Sequence, residues 1–271
     1  MDIITIYYLV NKLSSNDNFN IIFLSHCKTV KDNIVLPFSH LLQEINIPFW
    51  IDKNNIVPGD NINKTIKNAI NYCGYCLAFI DEEYLNTHWP MLELNLFKNK
   101  NANSIIPVYC GIKKEQVYKW IPWLENIAFE RIENNYKFGD YEKETLLNRL
   151  LNRILSDMDA KMDITAIKRL FIFNNKYVKL LNFLESFNYY KTTDLLLKCM
   201  ELCNMQLIIL FVLYQEFYKS KTMFSIIERY VYHVKNLIFE YPSLVTEDTY
   251  ITLCKGINYS INLLVNTRNS I

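Results

Sequence analysis

The residue of this sequence best placed to do chemistry is Glu93, which follows Trp89 by four positions in the segment HWPMLEL (88–94). Side chains four positions apart lie on neighbouring turns of a helix. The apolar face of this helix is predicted to consist of Leu85, Trp89, Leu92 and Leu96, with Glu93 at its edge. A carboxyl group there is partly removed from water beside an indole, which raises its pKa. From the spacing alone, an ordinary boundary glutamate that reaches water is the simpler explanation.

Polar and aromatic residues close three predicted strands upstream of Glu93. Ser25 and His26 end the first strand, and Trp50 and Asp52 end the second. Asp81 ends the third. In an open parallel sheet, ligands bind beyond the carboxyl ends of the strands. We therefore expect these side chains to share one cleft with Glu93, where His26 is either structural or a hydrogen-bonding residue at the rim.

A turn is predicted at the sequence VPGD, which comprises Val57, Pro58, Gly59 and Asp60. Pro58 fixes its own φ, and Gly59 supplies a positive φ if the turn is of type II. Asp60 is then expected to cap a helix that begins at Asn61.

The sequence excludes the common nucleotide-binding and metal-binding motifs. With only five glycines it contains neither GxGxxG nor GxxxxGK[ST], so a Rossmann phosphate loop and a P-loop are both excluded. It has no HExxH, and its four histidines lack metal-ligand spacing, so no metal is expected. The lone CxxC at Cys73 and Cys76 is weak as a zinc site. Seven scattered cysteines indicate reduced, buried thiols.

The overall composition points to a cytoplasmic protein. The net charge of +1, from 29 basic and 28 acidic residues, argues against a nucleic-acid-binding surface. The first residues lack the basic segment and cleavage motif of a signal peptide. The longest later apolar run, LIILFVLY (207–214), is far shorter than the roughly 18 residues that span a bilayer. No membrane association is therefore expected.

The first half of the chain alternates between short apolar runs and amphipathic helical patterns, as α/β domains do. The predicted strands are 21–26, 48–52, 75–81, 104–110 and 127–132. Two helical faces are predicted between the first three strands, with apolar positions Ile34, Phe38, Leu41, Leu42 and Ile45, and then Ile62, Ile66, Ala69, Ile70 and Cys73. Continuous apolar strands joined by helices predict a flavodoxin-like, five-stranded parallel sheet.

The second half is predicted to be an all-α helical bundle of about four helices. A charged helix at 140–161 closes the α/β domain or links it to this bundle. Three heptad patterns follow, formed by Leu196, Met200, Cys203, Leu207, Leu210, Tyr214 and Phe217, by Phe224, Ile227, Val231, Val234 and Ile238, and by Tyr250, Cys254, Ile257, Ile261 and Leu264. The predicted organisation is an N-terminal extension at 1–20, an α/β domain at 21–137, a closing helix at 138–161 and the bundle at 162–271.

The ordered set of motifs resembles the TIR (Toll/interleukin receptor) domain of the bacterial NAD-cleaving kind over about residues 21–135. The resemblance rests on Ser25-His26 after a strand, on WID (50–52), on PGD (58–60), and on a tryptophan with a glutamate four positions on. It implies that Glu93 is the catalytic glutamate. It also implies that Trp50, Asp52 and the 53–60 loop correspond to the BB loop at the rim of the site. The substrate-binding residues implied are Phe23, Ser25, His26, Trp50, Asp52, Asp81 and Trp89.

By this resemblance NAD+ is the substrate, no cofactor is needed, and the nicotinamide–ribose bond is cleaved to give ADP-ribose or a cyclic isomer. Nicotinamide leaves as a neutral pyridine, so one carboxylate suffices where ordinary glycosidases need two. Asp81 departs from the family pattern, since many relatives have serine there. The resemblance further implies a prokaryotic antiviral role, homo-oligomers formed through both domains, and a separate effector protein that responds to the product.

Two other functions fit part of the pattern. A TIR domain used only as a scaffold for homotypic assembly needs no catalysis, and retention of Trp89 and Glu93 argues against it. A flavodoxin-like response regulator needs an acidic cluster at the end of the first strand, where this chain has Ser25-His26 instead.

Overall fold

The computed structural model describes residues 21–52, 59, 61–133, 138–158, 194–216 and 222–266. These residues belong to two compact units, Met1–Leu146 and Leu147–Ile271. The predicted extension at 1–20 lies outside the described residues.

The first unit is built on one parallel sheet. Its strands are β1 (Ile21–Ser25), β2 (Phe49–Trp50), β3 (Cys73–Ile80), β4 (Ile105–Cys110) and β5 (Glu130–Ile132). They lie in the order β2-β1-β3-β4-β5, and every neighbouring pair is parallel. The predicted flavodoxin-like sheet is therefore confirmed. The central strands β1 and β3 are almost wholly buried, which explains their continuous apolar sequences.

Helices follow each of the first four strands. After β1 comes α1, in which a π-helical segment, Lys31–Val35, separates the α-helical turns Lys28–Val30 and Leu36–Glu44. The others are α2 (Ile62–Tyr72), α3 (Glu82–Asn86), α4 (His88–Asn101) and α5 (Lys114–Trp120), with short 3₁₀ segments at Ala102–Ser104 and Pro122–Asn126. All five apolar positions predicted for α1 are buried. Four of the five for α2 are also buried, but Ile62 at its first turn is 44% exposed.

The strand order reverses at β1, and this reversal positions the site. From β1 the chain adds β2 on one side and then β3 on the other. The carboxyl ends of β1 and β3 therefore lie side by side, with Ser25 in register with Ala78. Such a switch point leaves a crevice between the loops that follow the two strands, and ligands of open α/β sheets bind there.

The second unit is all-helical in its described residues, as predicted. It comprises the second half of α6 (Asp140–Asp157), which crosses from the first unit, then α7 (Leu195–Glu216), α8 (Thr222–Glu240) and α9 (Glu247–Asn266). Within this unit, Asn148 Nδ2 donates to Thr249 Oγ1 at 3.2 Å, and Gln206 Nε2 donates to Ser260 Oγ at 2.8 Å. Among the described helices, none is both long enough and apolar enough to cross a membrane.

Of the heptad positions whose burial is described, four of five in α8, two of six in α7 and two of four in α9 are buried. In α8 the predicted positions Phe224, Ile227, Val231 and Val234 are buried. In α7 only Cys203 and Leu210 of the predicted positions are fully buried, because this helix packs against both α8 and α9 and needs a wider, rotated face. That face consists of Cys199, Leu202, Cys203, Met205, Gln206, Ile209, Leu210 and Leu213. Phe217 and the side chain of Leu264 lie outside the description.

Candidate active site

Glu93 lies on the buried face of α4, and its exposed fraction is only 8%. The predicted apolar face is wrong, because Trp89 is 36% exposed and Leu92 and Leu96 are partly exposed. The buried face consists of Pro90, Glu93, Leu94 and Phe97. This face contacts β1, β3 and β4, so the carboxyl group is directed at the sheet rather than at the edge of the helix.

The residues at the start of α4 explain why the helix can begin at His88. Thr87 occupies the N-cap position with extended dihedrals, and Pro90 lies in the first turn. Proline is tolerated there because the first backbone N–H groups of a helix have no intrahelical acceptor. The Trp89 ring remains outside, where it meets the His88 ring edge-on with centroids 5.5 Å apart.

A buried set of oxygen atoms surrounds the Glu93 carboxyl group. Glu93 Oε2 lies 2.6 Å from Ser25 Oγ at the end of β1. Ser25 Oγ lies 2.8 Å from the Tyr84 hydroxyl, which in turn lies 3.1 Å from the backbone oxygen of Pro90. Ser25 and Tyr84 are both fully buried. The switch point therefore holds the only glutamate, among the described residues, that is hydrogen-bonded to a strand-end serine.

The environment of Glu93 strongly favours its neutral form. Burial raises the pKa of this carboxyl to about 8, against a smaller lowering effect of the Ser25 hydroxyl. The negative charge of Asp52 raises the pKa slightly further. The predicted rise in pKa is therefore confirmed, but its cause is burial against the sheet rather than the neighbouring Trp89.

Asp52, at the end of the second predicted strand, lies in a cluster with two basic residues. Lys31 Nζ donates to both carboxylate oxygens of Asp52, at 2.8 and 2.9 Å. His26 Nε2 lies 3.4 Å from Asp52 Oδ1, and its Nδ1 lies 2.9 Å from the backbone oxygen of Leu24. Burial lowers the pKa of His26, partly offset by the Leu24 carbonyl and Asp52. The predicted rim residues His26 and Asp52 thus lie together.

Asp81 makes structural hydrogen bonds that join two loops. Its side chain accepts from the backbone N–H of Tyr84 at 2.8 Å and so caps α3. It also accepts from the Cys27 thiol at 3.0 Å and from the Thr29 hydroxyl. These bonds connect the loop after β1 to the start of α3, beside the Glu93 site.

Phe23 and Trp50 lie beneath the site, inside the core. Their rings are stacked with centroids 4.5 Å apart and an interplanar angle of 11°. Phe23 also contacts Phe97 of α4, with centroids 5.3 Å apart. Both residues are at most 1% exposed, so the structure gives them a packing role, and their contact with substrate stays a prediction.

The predicted BB loop is only partly described. Gly59 has φ of +98°, which confirms the positive φ expected at this position. Val57, Pro58 and Asp60 lie outside the described residues. The predicted cap at Asp60 is wrong, because Asn61 is the N-cap of α2 and accepts from the backbone N–H of Lys64 at 3.1 Å. Asparagine is as good a cap as aspartate, so both positions were plausible in the sequence.

Cys27, Asp81 and Glu83 form a group of potential metal ligands in the described part of the chain, with ligand atoms within 4.8 Å of one another. The arrangement does not fit a metal ion. Asp81 already accepts three hydrogen bonds. The Cys27 thiol, whose pKa burial raises to about 12, donates to Asp81 at 3.0 Å, so these two side chains are already paired with each other.

Sequence reasoning missed three residues that build this site: Tyr84, Thr29 and Lys31. Tyr84 could have been found from Asp81-Glu82-Glu83, an N-cap followed by acidic residues, which predicts a short helix carrying position 84 inward. Thr29 and Lys31 follow the first strand in an irregular helical start that no periodicity indicates.

Comparison with known proteins identifies the family of the first unit. Residues 22–147 match the model of the TIR domain. The chain is 26% identical over 106 residues to NAD(+) hydrolase TcpC of Escherichia coli O6:H1 (strain CFT073), covering 38% of this chain and 34% of that protein. It is 23% identical over 137 residues to 2' cyclic ADP-D-ribose synthase AbTIR of Acinetobacter baumannii (strain 1295743), covering 49% of each.

A third relative is NAD(+) hydrolase PdTIR of Paracoccus denitrificans (strain Pd 1222), which is 24% identical over 112 residues, 40% of this chain and 38% of that protein. The chain thus spans a third to a half of the length of the curated relatives that it matches.

Proposed function

Because residues 22–147 form a TIR domain, we propose that this protein cleaves NAD+ at the bond between nicotinamide and ribose, with Glu93 as the catalytic residue. The observation that carries the proposal is the position of the Glu93 carboxyl group. It is buried at the switch point of the sheet, 2.6 Å from the strand-end hydroxyl of Ser25. Relatives named as NAD+ hydrolases and cyclic ADP-ribose synthases support the same reaction class.

One carboxylate is chemically sufficient for this reaction. Nicotinamide departs from a pyridinium as a neutral molecule, so no general acid is needed, unlike in ordinary glycoside hydrolysis. The transition state resembles an oxocarbenium ion on the ribose, and a fixed carboxylate stabilises the developing positive charge. In this proposal Glu93 is ionised when it acts.

The residues around Glu93 would hold the substrate at the crevice. Ser25 and His26 lie at the end of β1, and Asp52 lies where the chain enters the BB loop. Trp89 presents a partly exposed indole one helical turn from Glu93. We assign the remaining contacts to Phe23, Trp50 and Asp81, and to the BB-loop residues Val57, Pro58, Gly59 and Asp60.

The product is either free ADP-ribose or a cyclic isomer. Water attacks the ribose in the first case, and an oxygen or nitrogen of the same molecule attacks in the second. Relatives carry both names. Chromatography of the products after incubation with NAD+ separates the two outcomes.

The wider role proposed is prokaryotic antiviral immunity in the cytoplasm. The protein would assemble into homo-oligomers through its TIR and helical units, and a cyclic product would act on a separate effector protein. All seven cysteines, which lie in the described part of the chain, are unpaired, as expected in a reducing compartment.

One observation favours a second function, a non-catalytic scaffold. Glu93 is 8% exposed and its pKa is about 8, so the carboxyl group is covered and neutral at pH 7 in this conformation. A TIR domain that only assembles with copies of itself needs neither an accessible nor an ionised glutamate.

Nicotinamide release distinguishes the enzyme from the scaffold. The full chain is incubated with NAD+ at high protein concentration, alongside Glu93→Gln and Glu93→Ala. A matched control is Glu82→Gln, which makes the same chemical change at an exposed position in the neighbouring helix α3. Loss of release in both Glu93 variants but not in the control supports catalysis. Equal release by wild type and Glu93→Gln would overturn it.

A further inference from the structure

The hydrogen bonds around Glu93 can be assigned a direction by counting protons. Three contacts link four groups: Glu93 to Ser25, Ser25 to Tyr84, and Tyr84 to the backbone oxygen of Pro90. Each contact needs one proton. The hydroxyls of Ser25 and Tyr84 carry one proton each, and the Pro90 carbonyl carries none. Two protons cannot fill three contacts, so the third must come from the carboxyl group.

The donor and acceptor in each of the three hydrogen bonds follow from the Pro90 carbonyl, at one end of the chain of contacts. A carbonyl oxygen only accepts, so the Tyr84 hydroxyl donates its single proton to Pro90. Tyr84 then has only a lone pair to offer, so Ser25 donates to Tyr84. Ser25 in turn has only a lone pair for Glu93, so we infer that a carboxylic acid proton completes the 2.6 Å contact between these two oxygens. The lowering effect of Ser25 on the Glu93 pKa belongs to the ionised arrangement, in which Ser25 donates to the carboxylate instead. All three bonds are made when Glu93 is neutral.

An ionised Glu93 leaves one contact without a proton. Ser25 must then donate to the carboxylate, and Tyr84 must choose between Ser25 and Pro90. If Tyr84 turns to Ser25, the Pro90 oxygen keeps only the backbone bond that a helical carbonyl accepts from the residue four positions later. The ionised state therefore makes one fewer hydrogen bond in this arrangement than the neutral state.

We propose that Ser25 and Tyr84 are positioning residues whose hydroxyl chain, anchored on the Pro90 carbonyl, holds Glu93 as a neutral acid in the resting protein and reverses direction when Glu93 ionises. On ionisation the proton leaves to solvent, Ser25 rotates to donate to Glu93, and Tyr84 rotates to donate to Ser25. No covalent bond other than the O–H bond of Glu93 is broken. The use of this switch in NAD+ cleavage rests on the proposed function, whereas the proton arrangement does not.

The neighbouring titratable groups are compatible with this assignment. Burial raises the pKa of Tyr84 well above its usual range, so its hydroxyl keeps its proton at neutral pH. On β3, burial likewise raises the pKa of Cys76 well above that of an ordinary thiol, so it is neutral. The charged group that acts on Glu93 is Asp52, whose negative charge also favours the neutral acid.

The decisive variant is Tyr84→Phe, which removes one hydroxyl and keeps the buried ring. It deletes two hydrogen bonds from the neutral arrangement, Ser25 to Tyr84 and Tyr84 to Pro90, but only one from the ionised arrangement. Glu93 should therefore titrate at a lower pH, by roughly half to one unit, in Tyr84→Phe. A merely nonspecific loss of polarity beside a buried carboxyl would move the titration in the opposite direction.

The titration is measured by carbon-13 NMR on the full chain labelled at the glutamate carboxyl carbon, without NAD+. The Glu93 resonance is identified by its absence in Glu93→Gln. A matched control is Tyr109→Phe, another fully buried tyrosine, whose ring stacks on Phe129 and which takes no part in this hydroxyl chain. The control should leave the Glu93 titration where it is in the wild type.

Two results would overturn the proposal. One is a Glu93 titration in Tyr84→Phe that is unchanged or raised. The other needs no variant: a wild-type Glu93 that is already ionised at pH 6 cannot supply the third proton. Because neither measurement requires turnover, a failed nicotinamide assay would overturn the enzymatic function alone. If NAD+ is cleaved, the acid limb of kcat/KM should move by the same amount in Tyr84→Phe.

Discussion

Asp81 and Glu93 are two buried carboxyl groups on either side of the short helix α3, and their surroundings differ. Asp81 accepts from a backbone N–H, a thiol and a hydroxyl, and it caps α3. Among the described residues, Glu93 has one hydrogen-bond partner, the hydroxyl of Ser25. Both are less than a tenth exposed. Burial alone therefore does not assign a role. Three donors hydrogen-bond to Asp81, so its carboxylate is a fixed structural acceptor. Glu93 has only the Ser25 hydroxyl as a partner, so its carboxyl group can change between the neutral and the ionised form.

The largest expected effect is on catalysis, and it separates the two carboxyls. Glu93→Gln should lower nicotinamide release on the order of 10³-fold, about 4 kcal/mol in the barrier, because the neutral amide cannot stabilise a positive transition state. Asp81→Asn should lower it much less, since asparagine keeps an oxygen acceptor for the structural partners of Asp81, and the proposal gives Asp81 a contact with the substrate but no charge to stabilise in the transition state. Release is measured at saturating NAD+ on folded protein. An equal loss in both variants would contradict the division of roles.

The second largest effect is expected on stability, because Glu93 makes the free energy of unfolding depend on pH. Below about pH 4.3 the carboxyl is protonated in both the folded and unfolded chain. Between there and its folded pKa of about 8, the folded protein retains a proton that the unfolded chain has released. The free energy of unfolding therefore falls as pH rises through this window, and the loss is complete above it.

The Glu93→Gln variant cannot ionise at this position, so its free energy of unfolding lacks this dependence on pH. The variant should be more stable than the wild type at pH 9, by on the order of 5 kcal/mol, and nearly equal to it at pH 4. Urea unfolding at both pH values measures the difference, with Glu82→Gln as the exposed control. A wild type and a Glu93→Gln variant with parallel pH profiles would show that burial does not hold Glu93 neutral.

Substitution of Asp81 should lower the stability of the folded protein, whereas Glu93→Gln raises it at high pH. Asp81→Ala removes the cap of α3 and leaves the backbone N–H of Tyr84 and the thiol of Cys27 without their acceptor. A loss of about 2 kcal/mol in the free energy of unfolding is expected. Asp81→Asn keeps one acceptor oxygen and should lose less. Urea unfolding at pH 7 would contradict this account if the alanine variant were as stable as the wild type.

The sequence alone was sufficient to predict the parallel sheet and the position of the polar motifs at the ends of its strands. Continuous apolar strands and strand-end polar residues predict a parallel sheet with its site at Ser25 and Asp81. The structure places Ser25 in contact with Glu93, and Asp81 joins the loop after β1 to the start of α3. These features depend on local pattern and on topology rules that hold for all parallel sheets.

The orientation of α4 could not be predicted in the same way. Trp89 is more apolar than Glu93, so periodicity assigns Trp89 to the interior, yet Glu93 is buried and Trp89 is 36% exposed. The outcome depends on Ser25 and Tyr84, which lie 68 and 9 positions away in sequence and meet the carboxyl only after folding. The α7 face was missed for a related reason, because two packing partners rather than one decide which side is buried.

The smallest expected effect tests how far Glu93 responds to charge beyond its own hydrogen bonds. Asp52 raises the pKa of Glu93 through its negative charge, and its side chain is 44% exposed and paired with Lys31. Asp52→Asn should therefore lower the Glu93 titration by only a few tenths of a pH unit, and added salt should reduce the difference. Carbon-13 NMR of the labelled carboxyl measures both. A shift larger than that of Tyr84→Phe would mean that the field of Asp52, rather than the hydroxyl chain, decides when Glu93 ionises.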